Sequence, residues 1–165
     1  METWEKAFER VQDAELTQKY GHLWTLHINN TIDSELTSTQ QQQGWKVYQT
    51  SSFGRFNCPS CRHSWESARV SLTFHYRLVA SSSGEVRLRL FRQKCRTCRQ
   101  NDMLTATFKG DNKHEVLTRL ITKIKKNCYR EVINNVSYSG ASKITKPHEA
   151  SLCEACILGR CNREA

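Results

Sequence analysis

The sequence predicts an α+β fold, an antiparallel β-sheet with a long hairpin, covered by an N-terminal helix and one longer helix. Three observations carry that reading. Apolar and polar residues alternate from Ala68 to Leu78 and again from Val86 to Leu90, the period of half-buried strands. Apolar residues recur at helical spacing through Trp4, Phe8, Val11 and Leu16, and again from Val116 to Cys128. Lastly, Cys58-Pro-Ser-Cys61 and Cys95-Arg-Thr-Cys98 stand at the two ends of the alternating stretch, and Cys153-Glu-Ala-Cys156 with Cys161 follows near the end. A CxxC turn aims two thiolates at one tetrahedral ion, most often zinc, so the sheet is expected to be zinc-stabilised.

Taken in order, a helix is expected from Thr3 to about Lys19, stopped by Gly21. Trp24, Leu26 and Ile28 alternate with Thr25 and His27 as a strand, and Ser38 to Gly44, rich in glutamine, reads as a mobile polar loop. Trp45, Val47, Phe53 and Phe56 suggest a strand entering the first CxxC, with Gly54 relieving the backbone before it. In the hairpin, Ala68, Val70, Leu72, Phe74, Tyr76 and Leu78 share one face, Ser81 to Gly84 turns the chain, and Val86, Leu88 and Leu90 resume the alternation. Leu104, Ala106 and Phe108 suggest a short further strand. Asn112 with Glu115 resembles a capping box opening the long helix, whose stripe is Val116, Leu117, Leu120, Ile121, Ile124 and Cys128. Asn134 to Pro147 reads as a loop. Residues 1–165 are expected to form a single domain: 1–44 holds the N-terminal helix, strand and polar loop, 45–133 the clamped hairpin and helix, and 134–165 the loop and C-terminal zinc cluster.

Composition narrows the class. Charged residues make up 25% and hydrophobic ones 38%, as in a globular protein and unlike a disordered one. No apolar run approaches the roughly 20 residues that cross a bilayer, and no secretory signal begins the sequence. A reducing compartment is therefore expected, with thiols holding metal instead of pairing as disulfides, and the Asn29 and Asn135 sequons are chance matches.

Two closed tetrahedral sites need eight ligands, and the three pairs plus Cys161 supply seven. Cys128 is one candidate for the eighth, but it lies on an apolar helical stripe, where a free cysteine is usually a small buried hydrophobe. His148 is the favoured one, because His148, Cys153, Cys156 and Cys161 make a compact H-x4-C-x2-C-x4-C cluster. The simplest partition puts Cys58, Cys61, Cys95 and Cys98 on one zinc and that cluster on a second. Spacing alone leaves open a crossed pairing with the C-terminal pair, or a single full site. In every version protein ligands fill the coordination sphere, so the metal is structural. A nucleobase deaminase would need H-x-E and then P-C-x-x-C, whereas His148-Glu149 has the wrong spacing and Pro59 follows Cys58. No enzyme is expected.

Twenty-five Lys and Arg against sixteen Asp and Glu give a net charge of +9, which suits RNA or another polyanion as partner. On the hairpin's second face stand Arg69, Arg77, Arg87 and Arg89, joined near the CxxC turns by Arg62, Arg92, Lys94, Arg96 and Arg99. Trp65 and Phe91 are candidates to stack on bases, although aromatics of this kind more often belong to a core.

Several stretches resemble the receptor-transporting protein family, whose zinc-finger domain is named for three CxxC motifs. They are Leu23-Trp24-Thr25-Leu26-His27, Gly54-Arg55-Phe56-x-Cys58-x-x-Cys61, Ser64-Trp65-x-Ser67-Ala68, Arg89-x-Phe91-x-Gln93-Lys94-Cys95, Asn127-Cys128-Tyr129 and Cys153-Glu-Ala-Cys156 before Gly159-x-Cys161. The resemblance implies a non-enzymatic accessory protein, cytoplasmic or on the cytoplasmic face of membranes, that helps seven-helix G-protein-coupled receptors reach the cell surface. The basic hairpin is closest in character to the family's interferon-induced member, so the alternative is a zinc-stabilised RNA-binding protein with an antiviral innate-immune role. Family members often carry His directly before the third CxxC, where this sequence has Leu152. They also usually end in a hydrophobic membrane anchor, so membrane association is expected only if an anchor follows this sequence.

Overall fold

A computed structural model describes residues 2–80, 82–98, 102–132 and 152–158. Helix α1, Trp4–Gln12, starts at Thr3, whose side-chain oxygen accepts the Lys6 N–H at 3.2 Å. A π-helical turn, Asp13–Thr17, then interrupts it before a last turn, α2, Gln18–Tyr20. The wider turn is tied by the Thr17 hydroxyl, which contacts the Gln12 side chain at 2.8 Å and the His22 carbonyl at 3.0 Å. Leu16 stays fully buried across the change of pitch. Gly21 ends the helix with φ +71°, the left-handed cap that glycine adopts without a Cβ penalty.

Four strands follow: β1, Leu23–Ile28; β2, Lys46–Asn57; β3, Ser64–Val79; and β4, Ser83–Leu90. They lie in the order β1-β4-β3-β2, and the expected α+β class holds. The sheet is mixed where an antiparallel one was expected, because β1 runs parallel to β4. Two tight hairpins join β2, β3 and β4, so the chain leaving β1 must travel to the opposite edge of the sheet before β2 can start. That crossover, residues 29–45, passes over the face of the sheet away from the helices. There the Asp33 carbonyl accepts from His75 Nε2, the Ile32 carbonyl accepts from Arg89 at 3.0 Å, and the Asn30 side chain accepts the Leu90 N–H at 3.3 Å.

One core joins Trp24 and Leu26 of β1, Val70 to Tyr76 of β3 and Val86 to Leu90 of β4 to the stripes of α1 and of α4, Gly110–Cys128. Ala7, Phe8, Leu117, Leu120 and Ile124 are fully buried in it, as the two helical periods predicted. The expected clean split between buried and solvated faces fails in β3. Ser71, Thr73 and His75 are as buried as their apolar neighbours, because the crossover and Trp45 lie over them.

Three local expectations change. Residues 38–44 hold a short helix, α3, Ser38–Gln42, opened by a full capping box between Thr37 and Gln40. Leu104 to Phe108 make isolated bridges, Gln93 to Leu104 and Arg55 to Thr107, not a strand. Ala106 and Phe108 pack instead on the bulge at Gly54, where a Cβ would come within 3.0 Å of Val70 and 3.1 Å of each of them. Helix α4 begins at Gly110 behind an extended Lys109, so Asn112 lies inside its first turn and does not cap it.

Candidate metal centre and basic surface

The first CxxC is the turn of the β2–β3 hairpin. Its backbone closes on itself, with the Cys58 N–H donating to the His63 carbonyl and the Arg62 N–H to the Cys58 carbonyl, both at 2.8 Å. Arg62 takes the left-handed φ of +61° that this reversal requires. The second CxxC follows β4, which delivers it beside the first. All four sulfurs lie within 4.8 Å of one another, with Cys58 to Cys98 and Cys61 to Cys95 both at 3.5 Å. Zinc–sulfur bonds of about 2.3 Å in a tetrahedron put sulfurs about 3.8 Å apart, so the set fits one zinc without rearrangement. Cys58, Cys61, Cys95 and Cys98 are thus gathered as the simplest partition predicted, and not in the crossed pairing. Among the described residues they are the one cluster of metal-ligating side chains.

The thiols prepare for a cation. Backbone N–H groups of Cys61, and then of Ser60, lower the Cys58 thiol to about 7 against the opposing effect of burial. The Cys61 thiol is pushed up to about 12: the His63 backbone lowers it, but burial and the neighbouring sulfurs of Cys95, Cys98 and Cys58 outweigh that. A dication held by the four sulfurs would take the place of the thiol protons. With four thiolates the coordination sphere is closed and leaves no position for substrate.

The third CxxC docks beside the second. Cys153 bridges Gln93, the Lys94 N–H donates to the Leu152 carbonyl and the Glu154 N–H to the Arg92 carbonyl, both at 2.9 Å. The short helix α5, Glu154–Ile157, follows, and Phe91, Cys153 and Ala155 form a small core of their own. Of the expected second ligand set, His148 and Cys161 lie outside the described residues, while Cys153 is buried and Cys156 half-buried. Cys128 sits against the main core with its thiol raised by burial, consistent with a packing role.

The arginines fall into two groups. Arg77 and Arg87 stack on the Trp45 ring at 4.5 and 4.2 Å, and Arg77 also pairs with Glu85 at 3.1 Å. Arg89 lies over Phe91 at 4.4 Å with only 14% of its side chain exposed, and Arg92 pairs with Glu154 at 2.7 Å. These four rivet the crossover and the C-terminal segment to the sheet. Arg62 and Arg69 are exposed, Lys94 and Arg96 half-exposed, and Arg99 lies outside the described residues. Trp65 is held between Phe56 and His63, with ring centroids 5.1 and 5.7 Å away, and its indole N–H donates to Gln93 at 3.1 Å; Phe91 is buried. Neither ring offers a free stacking face. Sequence reasoning missed Trp45 and Glu154 as organisers of the arginines, since nothing in strand periodicity says which loop crosses a face.

Residues 51–159 match the three-CxxC zinc ribbon, described as a zinc-binding domain. That match defines the class: a ribbon whose strands are pinned by cysteine pairs. Receptor-transporting protein 3 of Mus musculus is 35% identical over 164 residues, covering 97% of this chain and 33% of that protein. Receptor-transporting protein 4 of Homo sapiens is 35% identical over 172 residues, covering 98% and 64%. Receptor-transporting protein 2 of Mus musculus is 32% identical over 160 residues, covering 94% and 68%. The chain belongs to the receptor-transporting protein family. It spans a third to two thirds of the length of these relatives. No solved structure matches it. Among the described residues no helix is long and apolar enough to cross a membrane.

Proposed function

We propose that this chain is a non-enzymatic, cytoplasmic accessory protein of the receptor-transporting type, one zinc-held domain over residues 1–165. On this reading it binds seven-helix G-protein-coupled receptors and promotes their passage to the cell surface. The observation that carries the reading is similarity to receptor-transporting proteins over nearly the whole chain, beside a zinc-binding domain match over residues 51–159 that spans the closed cluster. The zinc has no chemical step in this role. It holds the β2–β3 turn against the end of β4 so that a fixed surface meets the receptor. The test is surface labelling of a panel of such receptors co-expressed with the chain. Increased surface receptor, lost in Cys58→Ser, is expected; no increase for any receptor would sink the reading.

Two zinc ions are proposed, the second on His148, Cys153, Cys156 and Cys161. Native mass spectrometry should find two ions in the chain and one in His148→Ala, with Cys128→Ser keeping both. Loss in Cys128→Ser instead would reverse the ligand choice.

The net charge of +9 and the exposure of Arg62 and Arg69 favour a second reading, RNA binding with an antiviral role. Gel shifts should show binding that weakens steeply with salt and falls further in Arg62→Glu/Arg69→Glu. Reversing Arg77, Arg87 and Arg89 is a poorer test, because it breaks contacts that hold the sheet. No shift at low salt would end this reading.

A further inference from the structure

The crossover covers the outer face of β3 but leaves a strip of β1 and β4 open beside it. A groove of about 430 Å³ lies there, with Thr25, His27, Asn29 and Asn30 on one side and Glu85 and Arg87 on the other. Thr25 stands opposite Glu85 and His27 opposite Arg87, so these four side chains leave the sheet on the same face. Thr25, His27 and Asn30 are exposed, and Asn29, Glu85 and Arg87 are half-exposed.

Its unpaired polar groups are mostly donors. The Arg87 guanidinium is held over the Trp45 ring at 4.2 Å, a contact that fixes it in place, and among the described residues nothing accepts from its N–H groups. The Asn30 side-chain oxygen accepts the Leu90 N–H at 3.3 Å, and the Asn29 oxygen accepts the Thr31 N–H at 3.0 Å. A backbone N–H can only donate, so these bonds fix which end of each carboxamide turns inward. Both N–H2 groups are left as donors without a partner among the described residues. The charged acceptor of the groove, Glu85, is already paired with Arg77 at 3.1 Å. Two arginines and one glutamate thus leave one uncompensated positive charge, at Arg87.

We propose that this groove binds a carboxylate, the acidic side chain of an extended segment of a partner protein. A guanidinium with its N–H groups free presents the planar fork that a carboxylate meets with two parallel bonds. The Asn29 and Asn30 N–H2 groups serve the lone pairs that remain. One negative charge matches the one positive charge, whereas a phosphate of nearly two would overfill the site and press on Glu85. Four residues of rise from Thr25 to Asn29, at about 3.3 Å each, make the strip roughly 13 Å long. That is far more than one carboxylate fills, and it leaves room for the neighbours of an acidic residue in an extended chain. Ile28, 36% exposed at the groove, offers those neighbours an apolar contact. The contacts are with side chains on the sheet face and need no pairing with the backbone of β1. The inference goes beyond the receptor reading, since it names the chemistry the groove accepts whatever protein supplies it.

The test titrates the zinc-loaded full chain with the peptide acetyl-Gly-Val-Glu-Val-Gly-amide, followed by NMR at the Asn29 and Asn30 N–H2 groups and the Arg87 Nε–H. Saturable shifts at these groups are expected, and the same peptide with glutamine in place of glutamate should bind at least about tenfold more weakly. Asn29→Asp combined with Asn30→Asp keeps both inward acceptors but turns both free donors into charged acceptors. It should weaken binding at least about tenfold while zinc content and melting temperature are kept. Arg87→Lys, which keeps a charge over Trp45 but loses the planar fork, should act in the same direction. The proposal is overturned by absence of saturable shifts, by equal binding of the glutamine peptide, or by binding that neither variant weakens. Acetate binding as tightly as the peptide would overturn the extended segment, and inorganic phosphate binding more tightly would make a phosphate the occupant instead.

Discussion

Gly84 lies directly against the indole of Trp24, and a Cβ there would stand 1.9 Å from a ring carbon. The contact fixes β1 against β4 at the register Trp24 to Gly84, and no rotamer change of a ring that is 1% exposed can relieve it. Gly84→Ala should therefore cost roughly 3 kcal/mol, the upper range for overpacking a core. Urea unfolding measures this, and an unchanged midpoint would contradict the packing. His75 is a second residue whose position decides its chemistry. Burial lowers its pKa from the ordinary value of 6.5, partly opposed by the Asp33 carbonyl and reinforced by Arg87. The unfolded imidazole then takes its proton at higher pH than the folded one, so the unfolded state binds more protons as pH falls below about 6.5. Stability should decline there and level off once the folded ring is protonated as well. His75→Gln, which can still donate to Asp33, should flatten that part of the stability–pH curve relative to the parent chain.

At the scale of elements, the C-terminal segment is held mainly by Glu154. Its carboxylate accepts from the Arg92 N–H at 3.1 Å and from the Arg92 guanidinium at 2.7 Å, with Arg89 at 3.9 Å, and only 10% of its side chain is exposed. Hydrogen bonds to a shielded carboxylate are strong, and removing it strands two arginines, so Glu154→Ala should cost about 2 kcal/mol of docking free energy. Limited proteolysis near α5 should accelerate while cadmium or cobalt spectra of the closed cysteine cluster stay unchanged. Equal resistance in both proteins would show that the backbone bridges to Gln93 and Arg92 suffice. The strands themselves were legible because side chains alternate with a period of two, and α1 and α4 because their stripes repeat every three to four residues. The crossover over β3 was not. It has no period, and its contacts run through backbone carbonyls at Ile32 and Asp33 that any side chain could accompany.

For the whole molecule the closed cysteine cluster joins the ends of three strands that otherwise meet only through the sheet. A structural zinc site of this kind contributes about 10 kcal/mol or more to folding in small modules. Chelation at neutral pH should lower the melting temperature sharply and free the β2–β3 turn, seen as fast amide exchange from Phe56 to Trp65; a melting curve unmoved by chelator would mean that the core holds the turn without metal. The sequence alone determined the CxxC pairs, the two helical stripes and the β alternation, because each is a repeat written in residue type, and it left to the fold which two pairs share one site. Only the tertiary structure decided that β1 pairs in parallel, that the crossover covers half of the basic face, and that Arg77, Arg87, Arg89 and Arg92 are spent on internal contacts while Arg62 and Arg69 stay in solvent. Periodicity tells which side chains leave a strand on the same side. What comes to lie over them depends on where a non-repeating segment crosses the sheet, and that is settled only when the chain packs.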